Sequence, residues 1–151
     1  MKRKTVLIVA LLAALAAVAA VVFRPRPLCT ADAAPGGLAA ARVLVENRAG
    51  RAYSESQTWT LQEDAPETGE ILQLLSGARC RRTLGGVFGK HSYEGGGASL
   101  QLSFGSGTAL ISETGFCIRN GQLCRLVGGK DAAAELLGKL LPLLQAAQPE
   151  A

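Results

Sequence analysis

The chain has one histidine, one tryptophan, two tyrosines and four phenylalanines in 151 residues, and these shortages exclude a good deal. The four cysteines, Cys29, Cys80, Cys117 and Cys124, include no C-x₂-C pair, and His91 stands alone. Structural zinc needs close ligand pairs, so this spacing assigns no metal ligand. A histidine base for a cysteine nucleophile needs the two within hydrogen-bond reach and a third group to orient the ring, which nothing along the chain indicates. The stretch Gly85 to Lys90 fails as a phosphate loop, because Leu84 takes the first glycine position and His91 the place of the Ser or Thr that would meet magnesium. Ser106, between Gly105 and Gly107, lacks the G-x-S-x-G frame of a nucleophile elbow. No internal repeat is evident. No catalytic residue and no cofactor are assigned.

What the chain does have is a long apolar run near its start. Thr5 to Phe23, TVLIVALLAALAAVAAVVF, holds 19 residues without a charge, glycine or proline. As a helix it spans roughly 28 Å, close to the roughly 30 Å of a bilayer's hydrocarbon core. Lys2, Arg3 and Lys4 precede it, and Arg24 and Arg26 follow it. The positive-inside bias then puts the N-terminus in the cytoplasm and the rest of the chain outside, in a single-pass arrangement at the cell membrane. A cleaved signal peptide is the competing reading, because Ala31-Asp32-Ala33 has the small-x-small pattern of a cleavage site. A secretory apolar region is usually about 7 to 15 residues, however, and two arginines and two prolines separate this run from that site. Arg26-Pro27-Leu28 before Cys29 is unlike a lipoprotein signal. Ala13 with Ala17 and Ala16 with Ala20 form small-xxx-small pairs that would let two anchors pack together, although alanine as apolar filler explains them as well.

The net charge of +4 misleads about partners. Five of the 16 basic residues flank the apolar run, and the other 11 stand against 12 acidic ones, so the remainder of the chain is near neutral. Nucleic acid is not an expected partner, since its binding depends on neutralising phosphates.

The organisation is read as residues 1–23 cytoplasmic tip and anchor, 24–41 a Pro/Ala/Gly-rich stalk, 42–147 a folded domain and 148–151 a tail. Two strands open the domain, with a turn near Asn47 to Arg51 and Trp59 and Leu61 on one face. Asp64-Ala65-Pro66-Glu67 reads as a helix start with Asp64 as cap, and Gly77 as its left-handed stop. Strands follow at Arg79 to Leu84, Ser99 to Phe104, Thr108 to Ser112, Phe116 to Arg119 and Gln122 to Val127. Asn120-Gly121 carries the signature of a type I′ hairpin. A last helix, capped by Asp131, carries Leu136, Leu137, Leu140, Leu141 and Leu144 and is interrupted at Pro142. The fold class is α+β: an antiparallel sheet of about six or seven strands with two helices packed on it.

This arrangement, with the Asp64-Ala65-Pro66-Glu67 helix start and the Asn120-Gly121 hairpin, resembles small membrane-anchored or lipoprotein-type extracytoplasmic domains of Gram-positive bacteria over roughly residues 42–144. The resemblance implies location and fold, not an activity. The cysteines depart from it.

An even number of cysteines on an oxidising side favours disulfides. Across a two-residue turn at Asn120-Gly121, Cys117 faces Cys124 in a hydrogen-bonded pair, where Cβ atoms stand wider than a disulfide prefers. The candidate disulfide Cys117–Cys124 is therefore strained, and two buried thiols are the alternative. Two segments are candidate binding surfaces. Gly85 to Gly97 sets Phe88, Lys90, His91, Tyr93 and Glu94 in one glycine-flanked loop. Arg79 and Arg81 share a strand face and suit an anionic envelope component, or alternatively guard a sheet edge against aggregation. The expectation is a non-enzymatic binding or accessory module at the envelope, with the membrane as partner through residues 5–23 and an envelope protein or anionic component as a further one. A thiol-dependent envelope enzyme or redox protein and a structural subunit of an envelope assembly are the alternatives.

Overall fold

The computed structural model describes residues 2–30, 37–48, 51–89, 97–105 and 107–147. The apolar run forms α1, Lys2–Val22, and the helical hydrogen bonding continues one residue further, from Phe23 N–H to Ala19 O at 2.9 Å. Among the described residues nothing covers it: its large apolar side chains from Val6 to Val21 are 57–70% exposed. By length and composition α1 is able to cross a membrane.

After α1 come strands and helices in the order β1 (Arg26–Pro27), β2 (Leu38–Arg48), β3 (Arg51–Leu61), α2 (Pro66–Gly77), β4 (Arg79–Arg82), α3 (Leu84–Val87), β5 (Gly97–Phe104), β6 (Gly107–Ser112), β7 (Phe116–Arg119), β8 (Gln122–Leu126) and α4 (Gly129–Ala147). The eight strands make one antiparallel sheet ordered β1-β4-β8-β7-β6-β5-β2-β3. The expected α+β class holds.

One face of the sheet is the core. Alternation puts Leu100, Leu102 and Phe104 of β5 inward, and the register aligns Leu100, Ile111, Cys117 and Cys124 in one row across four strands, each 0–2% exposed. Trp59 and Leu61 share the inner face, as their spacing requires, and both are buried. Among the described residues the Trp59 indole N–H is buried without an acceptor. Helices α2 and α4 cover this layer with Ile71, Leu72 and Leu75 and with Ala133, Leu136, Leu140 and Leu144, which recur at three- and four-residue spacing.

Several local expectations change. The N-cap of α2 is Ala65, not Asp64, and makes no side-chain cap bond; Pro66 opens the helix, and the Thr68 hydroxyl instead donates to Gln62 O at 2.8 Å. Gly77 is the last helical residue, and Ala78 leaves in extended conformation, so no left-handed stop is used. Helix α4 starts at Gly129, which places Asp131 inside the first turn, and it runs through Pro142 to Ala147. The Asn120-Gly121 turn has φ of 47° and 76°, the two positive values a type I′ turn needs.

The segment read as a stalk is folded at both ends. Arg26 and Pro27 pair with Cys80 and Arg79. Leu28 N–H donates to Ala78 O at 3.0 Å, and Leu28 and Cys29 are core residues at 1% and 3% exposure. At the other end β2 begins at Leu38, four residues before the expected start. Pairing with distant strands supplies the order that the local Pro/Ala/Gly composition lacks.

The β6–β7 turn meets the start of α4 closely at Gly115. Its φ is +88°, and a Cβ there would lie 2.5 Å from the Gly129 carbonyl carbon and 2.7 Å from Lys130 N. Both the conformation and the backbone contact oppose a side chain. Gly115→Ala is expected to cost about 3 kcal/mol, read from urea denaturation followed by Trp59 fluorescence; an unchanged midpoint would show that α4 moves aside freely.

Candidate functional site

Of the loop candidates, Lys90, His91, Tyr93 and Glu94 lie outside the described residues. Phe88 is described and is 84% exposed. The residues just before it form α3, which was not foreseen. Thr83 is its cap, accepting from Gly86 N–H at 2.9 Å while its hydroxyl donates to Leu123 O at 3.1 Å. Thr83 was the legible signal, since its hydroxyl sits where an N-cap would. Gly86 fits because its Cα faces Leu123 O so closely that a Cβ would clash. On α3, Leu84 and Val87 are also exposed, at 67% and 40%. Together with Phe88 they form a small apolar projection.

The strand candidates are placed as their alternation required: Arg79 and Arg81 exposed, Cys80 buried between them, Arg82 half-buried. The register adds a third member. Arg81 lies directly opposite Arg125 of β8. Val127 N–H donates to Arg79 O at 2.9 Å and Thr83 N–H to Leu123 O at 3.2 Å, which makes Arg81–Arg125 a hydrogen-bonded pair within the same ladder. Phe116 faces Arg125 from β7, and the guanidinium carbon stands 5.5 Å from its ring centroid. Arg79, Arg81 and Arg125 make no ion pair among the described residues, where the one salt bridge is Lys139–Glu135 at 2.6 Å within α4. Like charges placed directly opposite destabilise a sheet. Nor does edge protection account for Arg79, because β1 already pairs with β4 at Arg79 and Cys80.

The cysteines form the other candidate. Leu126 N–H donates to Gly115 O at 2.9 Å, two residues along each strand from Cys124 and Cys117, so this pair faces across a hydrogen-bonded position as the hairpin geometry requires. Cys80 comes from β4 on the opposite side of β8, and its thiol neighbours both the Cys117 and Cys124 thiols. Cys29, in the segment after β1, instead donates its thiol to Leu72 O at 3.5 Å. All four thiols are free and buried. Hydrogen bonding to Cys117, then burial, pushes Cys80 up to about 12, against an opposing hydrogen bond from Cys124. The Cys80 contact, then burial, raises Cys124. Burial raises Cys29, opposed by the charge of Arg119. Arg119 is half-buried and donates from Nε to Pro27 O at 2.7 Å, tying β7 to the chain just after α1. Cys29, Cys80 and Cys124 are therefore protonated at neutral pH, the opposite of an activated nucleophile.

A groove of about 860 Å³ runs between α2 and α4, lined by Leu74, Leu136 and Leu143 and rimmed by Glu70, Glu135 and Lys139. The described residues contain no cluster of three His, Cys, Asp or Glu side chains placed to hold a metal ion. Compared with known proteins, the chain matches no family model, no curated protein and no solved structure.

Proposed function

We propose that the chain is a single-pass membrane protein whose folded part is a non-enzymatic binding or accessory module on the extracytoplasmic side of the cell envelope. The observation that carries this reading is the exposed apolar helix α1, joined by three residues to a strand of the sheet. A signal sequence has the same length and composition, but the fold favours retention. Cleavage after Ala33 would remove β1, the buried Leu28 and Cys29, and the acceptor of the Arg119 bond. The accessory role is supported by the raised thiols, which suit packing and not attack. The outward orientation rests on the charge bias around the anchor, and the resemblance to membrane-anchored extracytoplasmic domains agrees with it.

A thiol redox protein is the second reading, favoured by the adjacency of Cys80, Cys117 and Cys124. It requires at least one thiol to react readily with iodoacetamide in the folded chain at neutral pH.

The test of topology is protease added to spheroplasts, followed by N-terminal sequencing of the mature chain. The domain is expected to be digested while uncut protein begins near Met1. Complete protection, or an N-terminus near Ala34, sinks the proposal.

A further inference from the structure

The inference rests on the anchor reading above and concerns what the arginine face is for. Phe23 ends the helical ladder of α1, and Arg26 is already paired to β4. Only Arg24 and Pro25 lie between. From Phe23 to Arg26 is three steps of the chain, about 11 Å at full extension, a little more than the thickness of one lipid headgroup layer. Strand β1 therefore starts close above the headgroups, and β4 and β8 lie beside it at about 4.8 Å per strand. The same strands carry Arg79, Arg81 and Arg125 on one exposed face, with two of them opposed as like charges. Beside them, Leu84, Val87 and Phe88 of the α3 segment project into solvent. The domain as a whole is close to neutral, so these arginines are a local concentration of charge and not part of a general basic character.

We infer that the β4–β8 arginine face docks on the anionic phospholipid headgroups of the leaflet in which α1 ends. Chain continuity keeps the face near the lipid surface, and charge complementarity identifies the headgroup: guanidinium pairs with phosphate in a bidentate fork. Lipid phosphates also relieve the Arg81–Arg125 repulsion that the isolated sheet carries. The exposed apolar side chains of α3 suit the boundary between headgroup and acyl chain.

The test uses the full chain reconstituted in vesicles of phosphatidylcholine alone or with phosphatidylglycerol, treated with the arginine reagent phenylglyoxal and mapped by mass spectrometry. Each basic residue at an anionic surface is worth about fivefold in partitioning. Modification of Arg79, Arg81 and Arg125 is expected to slow at least about tenfold in the phosphatidylglycerol vesicles and to recover in about 0.5 M salt, with Arg42 of β2 unchanged. R79Q/R81Q/R125Q should keep its melting temperature in neutral vesicles but lose the upward shift that phosphatidylglycerol gives the unaltered chain. Equal rates in both vesicles overturn the inference. So does slowing that is as large in neutral vesicles, which would assign the approach to the short connection alone. Protection by soluble polyphosphate without protection by phosphatidylglycerol also overturns it, in favour of an envelope polymer. A chain that alkaline carbonate strips from the vesicles overturns the anchor reading and this inference together, whereas a chain that stays with unprotected arginines overturns only the latter.

Discussion

Raising the pH from 9 towards 12 is expected to unfold the domain while its thiols are kept reduced. An unfolded cysteine ionises near its ordinary value of 9.0, whereas folded Cys80 holds its proton to about 12 and Cys124 is raised as well. The sign follows: protons held by the folded state and lost by the unfolded one stabilise the fold fully below pH 9, and that stabilisation disappears as pH climbs towards the folded value. Cys80 alone removes about 3 kcal/mol between pH 9 and 11, a large share of the whole stability of a marginal domain, and Cys124 adds to the loss in the same direction. Cys29 adds to the loss in the same direction, since its shift is also upward. The measurement is Trp59 fluorescence against pH for the unaltered chain and for C80A/C124A. Tyrosine and lysine ionise in both, so the difference in slope isolates the thiols. Identical slopes would show that the two cysteines are not the groups that titrate.

Leu140→Ala is expected to cost about 4 kcal/mol. Leu140 is 0% exposed, midway between Leu136 and Leu144 on the stripe by which α4 covers the sheet. Removing its terminal carbons leaves a cavity between two layers that are each held in place by other contacts, so collapse is limited. Urea denaturation of the two chains in the same detergent gives the difference. A loss below about 1 kcal/mol would mean that α4 settles inward and that the layer is less fixed than its burial implies.

The parts of this fold legible in the sequence were those decided within a few residues. Helix α1 follows from a run of 19 uncharged residues, and the β7–β8 hairpin from Asn120-Gly121, which needs two positive φ angles and received them. Strand β5 followed from the alternation of Leu100, Leu102 and Phe104. What escaped was decided at a distance. Arg26 and Pro27 have no local reason to be a strand; they become one because Cys80 and Arg79, more than 50 residues later, offer an open edge. The same holds for the candidate sites. Alternation alone placed Arg79 and Arg81 on one face, but Arg125 joins them only through the β4–β8 register, and Cys80 meets Cys124 for the same reason. Helix α3 escaped differently: its two glycines out of four residues argue for a loop, and it stands because the Thr83 hydroxyl caps it and Gly86 slips against Leu123.

The pairing of Arg26 and Pro27 into the sheet also fixes how the domain moves. A head on a long tether samples a wide shell of solvent and tumbles independently of its anchor. Here three residues separate helix from strand, so on the proposed anchoring tilt and rotation of α1 in the bilayer become tilt and rotation of the sheet. For a domain anchored as proposed, partners embedded in the same membrane would meet it by lateral diffusion, already oriented, with much of the rotational search removed before contact.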